Sequence, residues 1–203
     1  SSKNINITNM HHETIKILKK IKKKHPFNAI RKVIDNISKL KILVIGDAIL
    51  DEYIYVSSLG KPSKESIIAV QYEDKETFLG GLFSAVNNLS AFSNNVDFIT
   101  VAGKEKENQS IFKNKVNKDI NKGVIIRSKN KTTKKTRFVQ RTHYTLSKLF
   151  EIYKMDDRLI SKGIENKIYK FLNNNLHKYD VVIVNDYGHG LFTKKIIDTL
   201  CLK

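Results

Sequence analysis

Tryptophan is absent, and cysteine occurs once, proline twice and methionine twice in 203 residues. The one thiol, Cys201, cannot close an internal disulfide, which suits a reducing compartment. No apolar run approaches the roughly 20 residues that span a bilayer. The polar residues 1–10 lack the apolar centre of a secretory signal. A cytoplasmic protein without a membrane partner is the expectation. His11 and His12 sit in a polar tail and no Cys/His cluster exists, so no metal site is expected. The phosphate loop G-x-x-x-x-G-K-[ST], the dinucleotide fingerprint G-x-G-x-x-G and the hydrolase nucleophile elbow are all missing. The commonest nucleotide signatures are thereby excluded, but other kinase designs are not.

Acidic residues are scarce: Asp and Glu number 20 against 37 Lys and Arg, a net charge of +17. A basic field attracts anions, nucleic acid among them. Arginine, however, stands only at Arg31, Arg127, Arg137, Arg141 and Arg158, and lysine is spread over most of the chain. Base readout uses chosen Arg, Asn and Gln positions, with aromatic platforms for single strands. That interleaving is missing, so nucleic acid is not an expected partner, whereas a phosphorylated substrate would be drawn in.

A 40% hydrophobic content with 10 Phe and 8 Tyr supports a core. Residues 1–39 read as a basic helical linker or arm. Ile15, Leu18 and Ile21 fall at helical spacing, Pro26 interrupts, and Phe27, Ile30, Val33, Ile34 and Ile37 repeat the pattern. From residue 41 the pattern changes. Lys41-Ile42-Leu43-Val44-Ile45-Gly46 is a short apolar run of the kind that forms a buried parallel strand, and residues 96–101 and 181–184 read the same way. Residues 53–56 and 66–72 alternate as a hairpin or small side sheet, and 123–126, 132–140 and 148–154 as further strands. Helices are expected at about 82–92, 104–116, 157–176 and from 193. Strands alternating with helices point to an α/β, doubly wound, mostly parallel sheet. The last helix has no following strand, so the sheet is expected to be unfinished and the chain a fragment.

Three polar segments fall where such folds bind ligands, beyond the carboxyl ends of strands. Gly46-Asp47-Ala48-Ile49-Leu50-Asp51 places two carboxylates after the first strand; each could orient sugar hydroxyls or simply cap a turn. Gly80-Gly81 precedes a helix, where side-chain-free backbone and open N–H groups suit an anion or hydroxyl oxygens, though an ordinary turn looks the same. Asn185-Asp186-Tyr187-Gly188-His189-Gly190 is a polar loop after the third apolar run.

Taken together and in this order, the segments resemble the ribokinase (PfkB) family, in particular its heptose-7-phosphate kinase branch. Residues 42–53 resemble the opening strand and sugar-contacting loop, and 78–88 the glycine-glycine signature. Lys61-Pro62-Ser63-Lys64-Glu65-Ser66 resembles the lid segment, and 181–190 the strand with an Asp-Tyr-x-(Lys)-Gly loop. The resemblance covers residues 40–203 and implies the N-terminal portion of a PfkB-type sugar kinase domain, with a small β lid at about 53–72 and the C-terminal part of the fold missing. It implies phosphoryl transfer from ATP, with Mg2+, to a sugar or sugar phosphate, through positioning and charge neutralisation. By carry-over, Asp51, Gly80 and Gly81 would bind substrate, with Asp47, Glu65 and Asp186 beside them. The lid would close over the sugar and support a homodimer. No catalytic residue is expected within the chain, because the family's Gly-Ala-Gly-Asp motif is not among these residues. Leu82 and Phe83 depart from the small residues usual after the glycines, Ser84 stands at the family's asparagine with Asn87 one turn later, and His189 replaces a common lysine. The arm at 1–39 resembles a linker to a fused nucleotidyltransferase domain. The alternative is a non-catalytic sugar-binding or oligomerisation module of a larger sugar-nucleotide enzyme.

Overall fold

The structure, a computed structural model, describes residues 10–60, 67–116, 120, 122–141 and 145–201. Two compact units divide the chain between Lys39 and Leu40. The first holds α1 (His12–Lys24) and α2 (Phe27–Ile37), with Pro26 as the residue capping α2. Neither helix buries a residue completely, and the apolar side chains Leu18, Ile21, Ile30 and Ile34 stay exposed.

The second unit carries two sheets. Sheet A contains β1 (Ile42–Gly46), β4 (Val96–Ala102), β5 (Lys122–Arg127) and β8 (Val181–Asn185), ordered β5-β4-β1-β8 with every pairing parallel. Successive side chains of a strand face opposite ways, and β1 is buried on both faces. Ile42 and Val44 enter a core with Phe83 and Val86 of α3 (Leu82–Leu89) and Phe112 of α4 (Lys106–Lys115). Leu43 and Ile45 enter another with Ile164, Ile168 and Leu172 of α5 (Lys162–Asn175) and Ile196 of α6 (Lys194–Cys201). Helices on both faces of a parallel sheet are the doubly wound α/β arrangement, and the continuous apolar run of β1 is its signature.

Sheet B has the order β3-β2-β6-β7, built from β2 (Ala48–Gly60), β3 (Ala69–Gly81), β6 (Thr133–Arg141) and β7 (Leu146–Lys154). The β2–β6 pair is parallel and the other two are antiparallel. Three expectations are corrected here. The hairpin read at residues 53–56 and 66–72 is far longer: β2 begins directly after Asp47, and β3 runs on to Gly81. Asp51 and Glu52, which read as loop residues, sit in mid-strand because distant partners satisfy them. Glu52 is buried, accepting from Thr136 Oγ1 at 3.0 Å and pairing with Lys134 and Lys75 at 3.3 Å each. Burial works against its negative charge, but the Thr136 bond and the two lysines outweigh it and hold the carboxyl below its ordinary value.

A second correction concerns residues 181–184, read as a buried strand. β8 pairs only with β1 among the described residues, and its outer edge is open. Val184 is 48% exposed as a result. The helix read from 157 also starts later, at Lys162, after an extended stretch in which Ile160 N–H donates to Gly190 O at 3.0 Å.

The Glu52 network ties three strands of sheet B together. Glu52→Gln is expected to lower unfolding free energy at pH 7 by about 2 kcal/mol, through one weakened buried charged bond. A carboxyl held low contributes stability above its ordinary value of 4.5 and loses it as pH falls through the folded value. The variant should therefore lose less stability than the wild type below that pH. Urea denaturation across the acid range reads both effects, and equal acid sensitivity of the two proteins would contradict this role.

Candidate functional site

Asp47 sits between the two sheets at the carboxyl end of β1 and is only 4% exposed. Its N–H donates to Asn185 O at 3.1 Å, and its carbonyl accepts from Leu82 N–H at 3.0 Å. Its Oδ2 accepts from Tyr187 N–H at 2.8 Å and more weakly from His189 N–H at 3.4 Å. Burial pushes this carboxyl above its ordinary value, while the Tyr187 and His189 N–H groups pull the other way. One residue thus fastens β1 to the start of α3 and to the loop after β8.

The two glycines are required for different reasons. Gly81 adopts φ 59°, a left-handed conformation that side-chain-bearing residues rarely take, and a Cβ there would collide with the Asp47 carbonyl. At Gly80 a Cβ would collide with Asp51 Oδ2. The Asp51 carboxylate therefore lies directly over Gly80, in the register where Ile49 of β2 faces Gly80 of β3. Its other oxygen pairs with Arg137 Nη1 at 2.5 Å, and Arg137 Nε donates to Glu151 at 3.0 Å. Burial disfavours the guanidinium charge, but Asp51 and Glu151 more than compensate and hold Arg137 firmly protonated.

Asp51, Tyr53 and Tyr55 share one face of β2. With Phe78, Leu79 and Ser84 they line a cavity of about 360 Å3. Tyr53 meets Phe78 edge-on at 5.6 Å and carries the Arg137 guanidinium over its ring at 5.3 Å. Tyr55 donates to Glu76 Oε2 at 2.6 Å and lies under Arg141 at 4.1 Å. The Glu76 bond is the main cause that raises the Tyr55 phenol above its usual range. Arg137, Tyr53, Tyr55 and Glu76 were not legible as site residues. Arg137 lies 86 positions from Asp51, and only the parallel β2–β6 pairing reveals their meeting.

Asp51 meets Gly80 of the Gly-Gly turn beside this cavity, which takes in none of the other candidates. Asp47 is turned away to cap the 187–189 loop. Asp186 is exposed and accepts Gly188 N–H at 2.9 Å, a local turn bond. Glu65 lies outside the described residues. Phe83, conspicuous in the sequence for its bulk, points into the core, fully buried, with Phe98 at 5.4 Å and Phe112 at 5.1 Å. Ser84 donates its hydroxyl to Leu79 O at 3.1 Å. His189 shares Nδ1 with Asp157 at 2.7 Å, while its Nε2 and the neighbouring Asn185 Oδ1 are buried with no partner among the described residues. Orphaned polar atoms at the carboxyl edge of a parallel sheet mark a place for water or ligand. A wider cleft of about 860 Å3 lies between α5 and α6, beside Tyr169 and Lys195, and holds none of the candidates. Among the described residues no group of three or more His, Cys, Asp or Glu side chains converges to hold a metal ion.

The chain is 33% identical over 162 residues to the bifunctional protein HldE of Aliarcobacter butzleri, a match taking in 78% of this chain and 33% of that protein. It is 25% identical over 162 residues to HldE of Nitratiruptor sp., covering 80% of this chain and 34% of that protein. It thus spans about a third of the length of the curated relatives it matches. In fold it matches phosphofructokinase-2 of Escherichia coli, solved with fructose-6-phosphate, at a TM-score of 0.58 and 10% identity, over 80% of this chain and 51% of that one. No protein-family model matches the chain.

If Asp47 acts as the fastener described, its charge is dispensable and its oxygen is not. Asp47→Asn keeps an acceptor for Tyr187 N–H and is expected to stay within about 1 kcal/mol of the wild type, whereas Asp47→Ala removes the acceptor of two part-buried N–H groups and should cost about 2 kcal/mol. Urea denaturation of both variants checks this; an Asn variant as unstable as the Ala variant would contradict it.

Proposed function

This chain is a homologue of part of the bifunctional protein HldE with half of the ribokinase-like fold of the PfkB sugar kinases, and on that premise we propose that it is the sugar-binding portion of a heptose-7-phosphate kinase-like domain. The enzyme would serve surface-polysaccharide precursor synthesis in the cytoplasm. The observation that carries this reading is the Asp51 carboxylate lying over side-chain-free Gly80 in a cavity walled by Tyr53, Tyr55 and Phe78.

Arg137 engages one Asp51 oxygen and so fixes the carboxylate plane. The other oxygen, which fills the space that a Gly80 side chain would take, is then held ready to accept a sugar hydroxyl proton. Arg137 also neutralises the carboxylate, so a phosphorylated sugar meets no net repulsion there. Tyr53 and Phe78 offer apolar ring surface to the C–H faces of a polyol. Such positioning, with water excluded, is most of what phosphoryl transfer asks of a protein. ATP and Mg2+ would supply the transferred group and its charge neutralisation. The described residues form no carboxylate cluster for the ion, and the sequence contains no Gly-Ala-Gly-Asp motif to supply the base, so no step is assigned to either. Loss of a general base alone costs ~10²–10⁴-fold. The 203 residues by themselves are therefore proposed to bind sugar weakly and to leave ATP unreacted.

Residues 1–39 are proposed as a linker toward a fused domain, and the segment at about 53–72 as a lid through which, with the strands of sheet B beside it, a homodimer forms. Phe150 and Ile152, exposed on one face of β7, support the latter. A non-catalytic sugar-binding or oligomerisation module is the second reading, favoured by that same apolar surface. ATP-dependent phosphorylation by a longer protein containing this chain would exclude it.

Two outcomes are expected. Titration of heptose 7-phosphate into the chain, followed by calorimetry, should show binding that Asp51→Asn weakens about tenfold or more, the loss of one charge-assisted bond. Unchanged affinity would remove Asp51 from the site, and ATP-dependent sugar phosphorylation by these 203 residues would refute their proposed inactivity. In sedimentation, Phe150→Glu combined with Ile152→Glu should convert a dimer to a monomer; a wild-type chain that is monomeric would end the dimer proposal.

A further inference from the structure

The turns before α4 and before β6, with the ends of β6 and β7, gather five lysines round one cavity of about 420 Å3: Lys104, Lys129, Lys131, Lys134 and Lys154. Only two glutamates share the lining, and both are engaged. Glu105 accepts from Thr132 N–H at 3.1 Å and from its hydroxyl at 3.2 Å. Glu107 pairs at 3.5 Å with Lys134, which is also held by Glu52 at 3.3 Å. Lys104, Lys129, Lys131 and Lys154 form no ion pair among the described residues. Moreover, Lys134 and Lys154 stand directly opposite each other across the antiparallel β6–β7 ladder. Like charges in that register repel, and of the two only Lys134 has carboxylates beside it to offset the repulsion.

The cavity is separate from the Asp51 site. Lys134 reaches Glu52 while Arg137 reaches Asp51, and residues of opposite parity on a strand face opposite sides of its sheet. Sheet B therefore lies between the two.

We propose that this cavity binds a small molecule carrying several phosphoryl charges. Several ammonium groups around one space exceed what a single carboxylate can bridge, whereas a chain of phosphates presents enough oxygens to meet them. Lysine serves phosphate as a mobile point charge rather than a planar fork. The volume lies in the range of small-molecule pockets. No aromatic ring lines it, so a nucleobase has nothing to stack upon and recognition stops at the phosphates.

The test titrates inorganic tripolyphosphate and magnesium-free ATP into the full 203-residue chain by calorimetry. The two ligands should bind with similar affinity, weakening as salt screens the lysines. Lys131→Ala with Lys154→Ala should weaken tripolyphosphate about tenfold or more. The charge-matched pair Lys20→Ala with Lys23→Ala, on α1, should change it less than about twofold, since those lysines act only through the overall field. Equal losses in the two double variants, no binding by the wild type, or ATP binding far more tightly than tripolyphosphate would each overturn the proposal.

Discussion

The buried hydrogen bonds of Asp47 hold the rim of the molecule together. Its carbonyl anchors the first residue of α3, its N–H anchors Asn185, and its carboxylate anchors the turn at Tyr187. Leu82 is distant in sequence from Asn185 and Tyr187, and the Gly-Gly turn and the 185–189 loop take their positions from these bonds. Burying the carboxylate is unfavourable, as its raised pKa records. In return the part-buried N–H groups of Tyr187 and His189 gain their acceptor. The geometry of the Asp51 cavity follows from this fastening, because Gly80 and Gly81 end the strand that lies under Asp51.

Sheet B then divides its charges by face. One face of β2 presents Asp51 with Arg137, Tyr53 and Tyr55; the other presents Glu52 with Lys134 and Lys75. A net charge of +17 could suggest a diffuse basic coat. Locally, however, Arg137 stands where a planar partner orients a carboxylate, and five of the lysines gather round one cavity.

The layers of the fold were legible because burial leaves a direct trace. The apolar run from Ile42 to Ile45 reads as a two-sided parallel strand, and the spacing of Ile164 and Ile168 as a helix face. What was hidden depended on partners far along the chain. Asp51 and Glu52 read as loop residues until Arg137, Lys134 and Thr136 are brought beside them. Val184 reads as core until β8 is found with an open edge. Lys104, Lys129, Lys131, Lys134 and Lys154 read as five solvated lysines, since nothing local announces their meeting. Within the site, the glycines were legible as turn formers, whereas the reason Gly80 must be glycine is the Asp51 oxygen above it.

Native-state hydrogen exchange tests the fastening most directly. If Asp47 holds the three segments as one unit, the amides of Asp47, Leu82 and Tyr187 should exchange together, with similar protection that collapses in concert as denaturant is raised. Tyr187 exchanging at the rate of a free loop, while Asp47 and Leu82 stay protected, would contradict it.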